Sequence, residues 1–334
     1  MDIIPEPHSK RQRLADVVPL RTPFVIFLDV CDRCNFRCNF CPCNNSNEAI
    51  KSRRKTMNFE LFKKIIDDMS EFNTKIRVVN LYAYGEPLLN PYFGDMLKYL
   101  KNKDVCNEIR VTSNGSLLTD ELCEKMVENG LDMFRLSLYG LSDEEYLVNT
   151  GVNIDYSKLK SNIAYLYELN KKNEGSLKIS LKAASSFINS EKKLHQLYAD
   201  FSVITDYLYV ENIEEVWPEF LLFNKYENLS YAPRKYAQEE QSSLCSYLFT
   251  TMMIYSNGDV GICDVDWKHE TKYGSALNDS IVNLWNGNTL RNLRLKFCQN
   301  PVPPIDFCKS CKKIFDDNLD NDREKIMKRI LVDI

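Results

Sequence analysis

The chain has 334 residues, enough for one large domain and a smaller companion. Its 44% apolar and 27% charged residues are those of an ordinary globular protein, and a net charge of −4 argues against nucleic acid as a partner. Three histidines leave little scope for imidazole chemistry, and no apolar run reaches the ~18 residues of a membrane span.

Residues 1–21 are polar, carry Pro5, Pro7 and Pro19, and lack the apolar centre of a signal peptide. They read as the N-terminal arm of a cytoplasmic chain. The first strand is expected at about 22–30, around the apolar run Phe24 to Val30, and cysteines follow it at once. Cys31, Cys34, Cys38, Cys41 and Cys43 are five of the chain's twelve. Without an export signal, thiols at that density point to metal rather than disulfides. The C-x3-C-x2-C spacing of Cys34, Cys38 and Cys41 suits three corners of a [4Fe-4S] cluster, leaving one iron open. Counting Cys31, the run also fits a four-cysteine ferredoxin-type site or a structural zinc, and the spacing alone leaves these open. The basic stretch Lys51 to Lys55 reads as a solvated loop.

Strand-like and helical patterns then alternate. Asn58 is placed to cap a helix over 59–72, whose apolar residues recur at three- and four-residue spacing. Further strands are expected at 76–82, 108–113, 134–138, 177–183 and 207–210. Further helices are expected at 91–102, 119–129 (capped by Thr119) and 155–173. Such alternation makes parallel β/α units with right-handed crossovers. Six units suit an α/β fold with an incomplete (β/α)6 barrel over 22–230, open on one side. Chemistry in such folds gathers at the carboxyl ends of strands. Unusual residues stand there: Ala83-Tyr84-Gly85-Glu86-Pro87 after the second strand, Thr112-Ser113-Asn114-Gly115 after the third, and Leu136 to Gly140 after the fourth. On the fifth strand, Ser180, Lys182 and Ser185 are candidates to point inward.

A polar stretch at 225–243 sets the boundary of a second domain, 231–315. Cys245 precedes a β-like run, Tyr247 to Tyr255. Ser256-Asn257-Gly258-Asp259 turns it back toward Cys263. With Cys308 and Cys311 this makes a closed set of four thiols, suited by composition to zinc or iron. Cys298 either replaces one of the four or lies under a helix over 280–298. Cys106 and Cys123 read as small buried side chains. A C-terminal helix is expected over 316–334, with Ile326, Ile330 and Leu331 on its buried face.

The sequence resembles the radical S-adenosylmethionine (radical SAM) enzymes, whose motif C-x3-C-x-aromatic-C reads here as Cys34, Cys38, Phe40 and Cys41. The resemblance covers about 22–315 and implies the same partial barrel. It implies a [4Fe-4S] cluster whose open iron chelates S-adenosylmethionine, with Phe40 near the adenine. Gly85 and Glu86 match a Gly-Gly-Glu-type motif that receives the methionine amino group, with Tyr84 in place of the first Gly. Asn114 matches a Thr-Asn-Gly turn, and Ser137 a position that contacts ribose or carboxylate. Cys245, Gly258 and Cys263 fit the C-x12-G-x4-C opening of the SPASM and Twitch domains. That likeness implies a small β-hairpin-plus-helix domain with one auxiliary [4Fe-4S] cluster on Cys245, Cys263, Cys308 and Cys311, for electron transfer. Cys31 and Cys43 flank the cluster loop, since ligation by either would close the open iron.

The resemblance implies reductive cleavage of S-adenosylmethionine to a 5′-deoxyadenosyl radical, which abstracts a substrate hydrogen. Flavodoxin or ferredoxin would supply the electron. No peptide-recognition domain fits before the barrel, which favours a small molecule of sugar, aminocyclitol or nucleotide type. Modification of a peptide or protein side chain is the alternative. A non-catalytic iron–sulfur electron carrier is the reading from another class.

Overall fold

Six strands lie side by side in chain order, all parallel: β1 Val25–Leu28, β2 Ile76–Asn80, β3 Cys106–Ser113, β4 Met133–Leu138, β5 Lys178–Ala184 and β6 Tyr207–Glu211. The computed structural model describes residues 12–44, 54–211, 217, 244–309, 311 and 322–332. Most of the expected arm, Lys51 to Arg53 of the basic stretch, the polar stretch at 225–243 and the start of the C-terminal helix lie outside them. The sheet stays open, as an incomplete barrel requires.

Helices join the strands. α1 Leu14–Val17 precedes them; α2 Phe59–Met69, α3 Phe93–Lys103, α4 Asp120–Glu128, α5 Asp143–Thr150, α6 Tyr156–Lys172 and α7 Glu191–Phe201 lie between. Asn58 caps α2 through the Leu61 amide at 2.8 Å, and Thr119 caps α4 through the Leu122 amide at 3.2 Å. Each oxygen satisfies a helix-end amide that has no partner within the helix. Asn58→Ala is therefore expected to cost about 1 kcal/mol, read as a lower denaturation midpoint of the cluster-free protein. Helix α2 is shorter than expected, ending at Met69. Ser142 caps α5, which the sequence reading did not pick out.

The parallel strands alternate between two faces. Ile26, Leu28, Val79, Ile109, Val111, Phe134, Leu136, Ile179 and Leu181 are buried against the helices in the main core. Burying each such side chain contributes on the order of 1.5–3 kcal/mol. The opposite face holds a separate cluster of Phe27, Tyr84, Met253, Tyr255, Trp267 and Phe307.

The C-terminal hairpin continues this sheet. Strand β7, Thr251–Ile254, pairs parallel with β1 in the register Val25↔Thr251 to Leu28↔Ile254. β8 Asp259–Gly261 and β9 Gly274–Ser275 follow antiparallel, giving nine strands among the described residues. The expected long strand from Tyr247 is in fact a helical turn, α8 Tyr247–Thr250, leading into β7. The helix expected over 280–298 is two, α9 Ile281–Asn286 and α10 Asn288–Gln299, separated at Gly287. The short α11 Asp306–Lys309 carries Cys308, and α12 Arg323–Val332 closes the described chain. On α12, Ile326 and Ile330 are buried, but Leu331 is 47% exposed. Residues four apart share a helical face; one step further turns a side chain about 100° away.

Candidate active site

The cysteine loop leaves the carboxyl end of β1. Asn90 ties down its surroundings by donating to the Val30 carbonyl at 2.9 Å and the Met57 carbonyl at 3.0 Å. Cys31 forms a bridge with Thr56, and its thiol lies 3.5 Å from the Thr56 hydroxyl and 3.6 Å from the Arg33 carbonyl. The Cys43 thiol donates to the Tyr84 carbonyl. Both flanking cysteines thus have partners outside the C-x3-C-x2-C triad.

Cys34, Cys38 and Cys41 lie close enough together to act on one another's charge. Burial pushes the Cys34 thiol up to about 12, with Glu86 and Cys41 adding to it. Burial likewise raises Cys38, reinforced by Cys41 and Cys34. Cys41 goes the other way, because the Cys43 thiol and amide favour its thiolate. Among the described residues no three such donors already stand in metal-binding geometry. The donor chemistry still fits a cluster: three neighbouring sulfurs, one buried and two half-buried, would repel as bare thiolates, and iron removes that repulsion. Phe40 stacks on Tyr139 at 5.7 Å and lies 5.6 Å from Phe187, so an aromatic wall borders the triad. Tyr139, two residues after Ser137, escaped the sequence reading. Its buried hydroxyl is raised well above the usual tyrosine range, first by burial and then by the three cysteines, while Ser137 donates to it.

The second-strand motif meets this loop through its backbone. A Cβ at Gly85 would stand 2.0 Å from the Cys31 carbonyl oxygen and 2.5 Å from that of Arg33. The Glu86 amide donates to the Arg33 carbonyl at 2.7 Å. The Glu86 carboxylate is buried and already meets three donors: the Leu88 amide at 3.0 Å, the Ser113 hydroxyl at 2.7 Å and the Asn114 amide at 2.8 Å. It therefore locks the end of β2 to the end of β3. Asn114 donates to Asn35 Oδ1 at 2.9 Å, and Asn35 donates to the Ser116 hydroxyl at 2.8 Å. That link joins the cysteine loop to β3, and Asn35 was not singled out from sequence although it directly follows Cys34.

Burial pushes the Glu86 carboxyl up to about 7 from 4.5, against its three donors. The folded chain then holds this proton more tightly than the unfolded chain. The resulting stability is complete below pH 4.5 and is lost as pH rises through about 7. In the cluster-free protein, Glu86 is expected to remove on the order of 3 kcal/mol of unfolding free energy across that window. Glu86→Gln should flatten the slope, as measured by denaturant titrations at several pH values.

On the face of the sheet opposite the helices, half-buried charged groups stand on neighbouring strands. Arg110 pairs with Glu108 through two contacts of 2.7 Å, and Lys182 with Glu211 at 2.7 Å. Arg135 reaches to 3.5 Å from the Tyr82 hydroxyl. Ser137 and Lys182 are register partners, as are Arg135 and Ser180.

Of the second cysteine set, Cys308 is the member whose surroundings are clearest. Burial raises its thiol, reinforced first by Cys245 and then by Cys311, so these three are neighbours. Cys263 is buried at the end of the hairpin, and its carbonyl accepts from the Tyr84 hydroxyl at 3.2 Å. Cys298 is buried on α10, where the Arg323 charge is its neighbour; it packs within the main core. Cys106 and Cys123 likewise pack on or in that core.

Comparison with known proteins adds the family context. Residues 28–181 match the radical SAM superfamily, and residues 245–312 match SPASM, an iron–sulfur cluster-binding domain. A Pyrococcus furiosus protein described as a tungsten-containing aldehyde ferredoxin oxidoreductase cofactor-modifying protein is 28% identical over 43% of this chain and 39% of its own. The match thus spans about two fifths of that relative's length. Among solved structures, BtrN in complex with AdoMet and 2-DOIA superposes with a TM-score of 0.55 at 15% identity, over 90% of this chain and 96% of BtrN. The anSMEcpe structure with bound AdoMet and a peptide gives a TM-score of 0.57 at 17% identity, over 92% and 95%. At such identities these likenesses speak for the fold. No helix among the described residues is long and apolar enough to cross a membrane.

Proposed function

Because this chain belongs to the radical SAM superfamily and carries a SPASM domain, we propose that it uses S-adenosylmethionine to abstract hydrogen from a small polar molecule, which it oxidises or rearranges. When bound, the cluster supplies the electron that breaks the sulfonium. The chain's part is to hold that cluster on Cys34, Cys38 and Cys41, with Cys31 against Thr56 and Cys43 supporting Cys41 from the Tyr84 side. Phe40 and Tyr139 form an aromatic surface for the adenine. Gly85, Glu86, Asn114 and Ser137 surround the amino-acid and ribose end, Glu86 acting by ordering the two strand ends. Cys245, Cys263, Cys308 and Cys311 hold the auxiliary cluster.

The observation that carries the small-molecule reading is the set of charged and hydroxyl groups on the inner face. Arg110–Glu108, Arg135 with Tyr82, and Lys182–Glu211 offer hydrogen bonds and charge to a ligand rich in hydroxyl, amino or phosphate groups, of sugar, aminocyclitol or nucleotide type. BtrN, whose complex contains 2-DOIA, shares this fold over nearly its full length. A peptide or protein side chain is the second reading, favoured by the peptide in the anSMEcpe structure.

Anaerobic reconstitution followed by dithionite and S-adenosylmethionine tests the proposal. About eight irons per chain and formation of 5′-deoxyadenosine are expected. Iron without 5′-deoxyadenosine across candidate substrates would instead indicate an electron carrier. Feeding deuterated small molecules and following deuterium into 5′-deoxyadenosine separates the two substrate readings.

A further inference from the structure

Tyr84 stands where the Gly-Gly-Glu-type motif has its first glycine, and its backbone and side chain face different cysteine sites. Its carbonyl accepts from the Cys43 thiol, within the loop that carries Cys34, Cys38 and Cys41. Its hydroxyl donates to the Cys263 carbonyl at 3.2 Å. Between these ends the buried ring stacks on Tyr255 at 6.1 Å and 18°, with His269 at 5.9 Å. Tyr255 in turn lies face to face with His269 at 3.6 Å and donates to Asp266 Oδ2 at 3.1 Å. Asp266 also accepts from the Thr271 amide and hydroxyl, which closes the loop that begins at Cys263. His269 holds a left-handed backbone, φ +59°, a conformation that persists only where its surroundings enforce it. A packed column therefore runs from the first cysteine loop to the second, and a glycine at position 84 would contribute neither ring nor hydroxyl to it.

We propose that Tyr84 is a positioning residue that fixes the Cys263 loop against the Cys34–Cys43 loop and so sets the separation of two iron–sulfur sites. This rests on the reading of the two cysteine sets as two cluster sites. The test uses reconstituted full-length protein with both clusters reduced. Microwave power saturation of the electron paramagnetic resonance signal reports how strongly each cluster relaxes the other. Cys308→Ala supplies the uncoupled limit.

Tyr84→Gly is expected to keep the iron of the first site and to lose the relaxation enhancement down to that limit. Tyr84→Phe keeps the ring and loses only the bond to the Cys263 carbonyl. It is expected to retain most of the enhancement while shifting the midpoint potential of the auxiliary site. Wild-type relaxation in a Tyr84→Gly protein that still holds both clusters would overturn the proposal. If Tyr84→Gly does not fold, a Tyr84→Phe protein identical to wild type in both potential and relaxation overturns it. Wild-type protein with about four irons would overturn the two-site reading itself, and the proposal with it.

Discussion

Alanine in place of Cys34, Cys38 or Cys41 is expected to abolish 5′-deoxyadenosine formation and to remove the iron of one site, whereas Cys31→Ala keeps both. The loss should be at least about a thousandfold, equivalent to roughly 4 kcal/mol of barrier. The asymmetry follows from where the sulfurs lie. The triad thiols act on one another; Cys31 also acts on Cys34, but its own thiol is occupied by Thr56 and the Arg33 carbonyl. Cys43→Ala should keep more iron than a triad variant but less than Cys31→Ala, because the Cys43 thiol faces the Tyr84 carbonyl and also touches Cys41. The measurement is iron and sulfide per chain beside quantified 5′-deoxyadenosine. Iron loss in Cys31→Ala equal to that in Cys34→Ala would instead support a four-cysteine closed site.

Gly85→Ala is expected to be nearly as damaging although it removes no chemical group. The added Cβ would meet the Cys31 carbonyl oxygen at 2.0 Å, and the Arg33 carbonyl oxygen and amide nitrogen at 2.5 and 2.7 Å. All three are backbone atoms, so no side-chain rotation relieves the clash. Either the cysteine loop or the β2–β3 junction must move. The cost should be at the upper end of the ~1–3 kcal/mol typical of overpacking. The readouts are a lower denaturation midpoint of the cluster-free protein and poor retention of iron by the first site, with the auxiliary site still loaded. A variant with full iron and wild-type stability would show that the loop does not depend on this close approach.

The barrel was legible in the sequence because its signals are local. Strand-sized apolar runs alternate with helical periodicity, and Asn58 and Thr119 mark helix starts by the oxygen they place at the cap. The cysteine triad and Gly85-Glu86 stood out as candidates because each is a compact motif at a strand end. Less visible was what depends on contacts between distant residues. Tyr139 becomes a wall of the site only when β4 brings it against Phe40. Asn35 acquires its role only when β3 brings Asn114 to it. The split at Gly287 and the helical turn at Tyr247–Thr250 are set by packing that a run of apolar residues does not reveal. Glu86 was expected to face the cofactor; its three hydrogen bonds to the chain are a tertiary property of the β2–β3 junction.

The pairing of Val25–Leu28 with Thr251–Ile254 also bears on how the molecule is made. Strand β1 has its nearer sequence neighbour on one side only; its other edge waits for a segment that follows all the other parallel strands in the chain. Contacts so far apart in sequence form late and slowly. Until they form, β1 presents an unpaired edge beside the cysteine loop, the kind of edge through which nascent chains associate wrongly. A chain halted before Thr251 should therefore be a poor recipient for iron and prone to aggregate, even though it contains every residue of the first cysteine loop. Stable retention of iron is then expected only once β7 has sealed the open edge of β1.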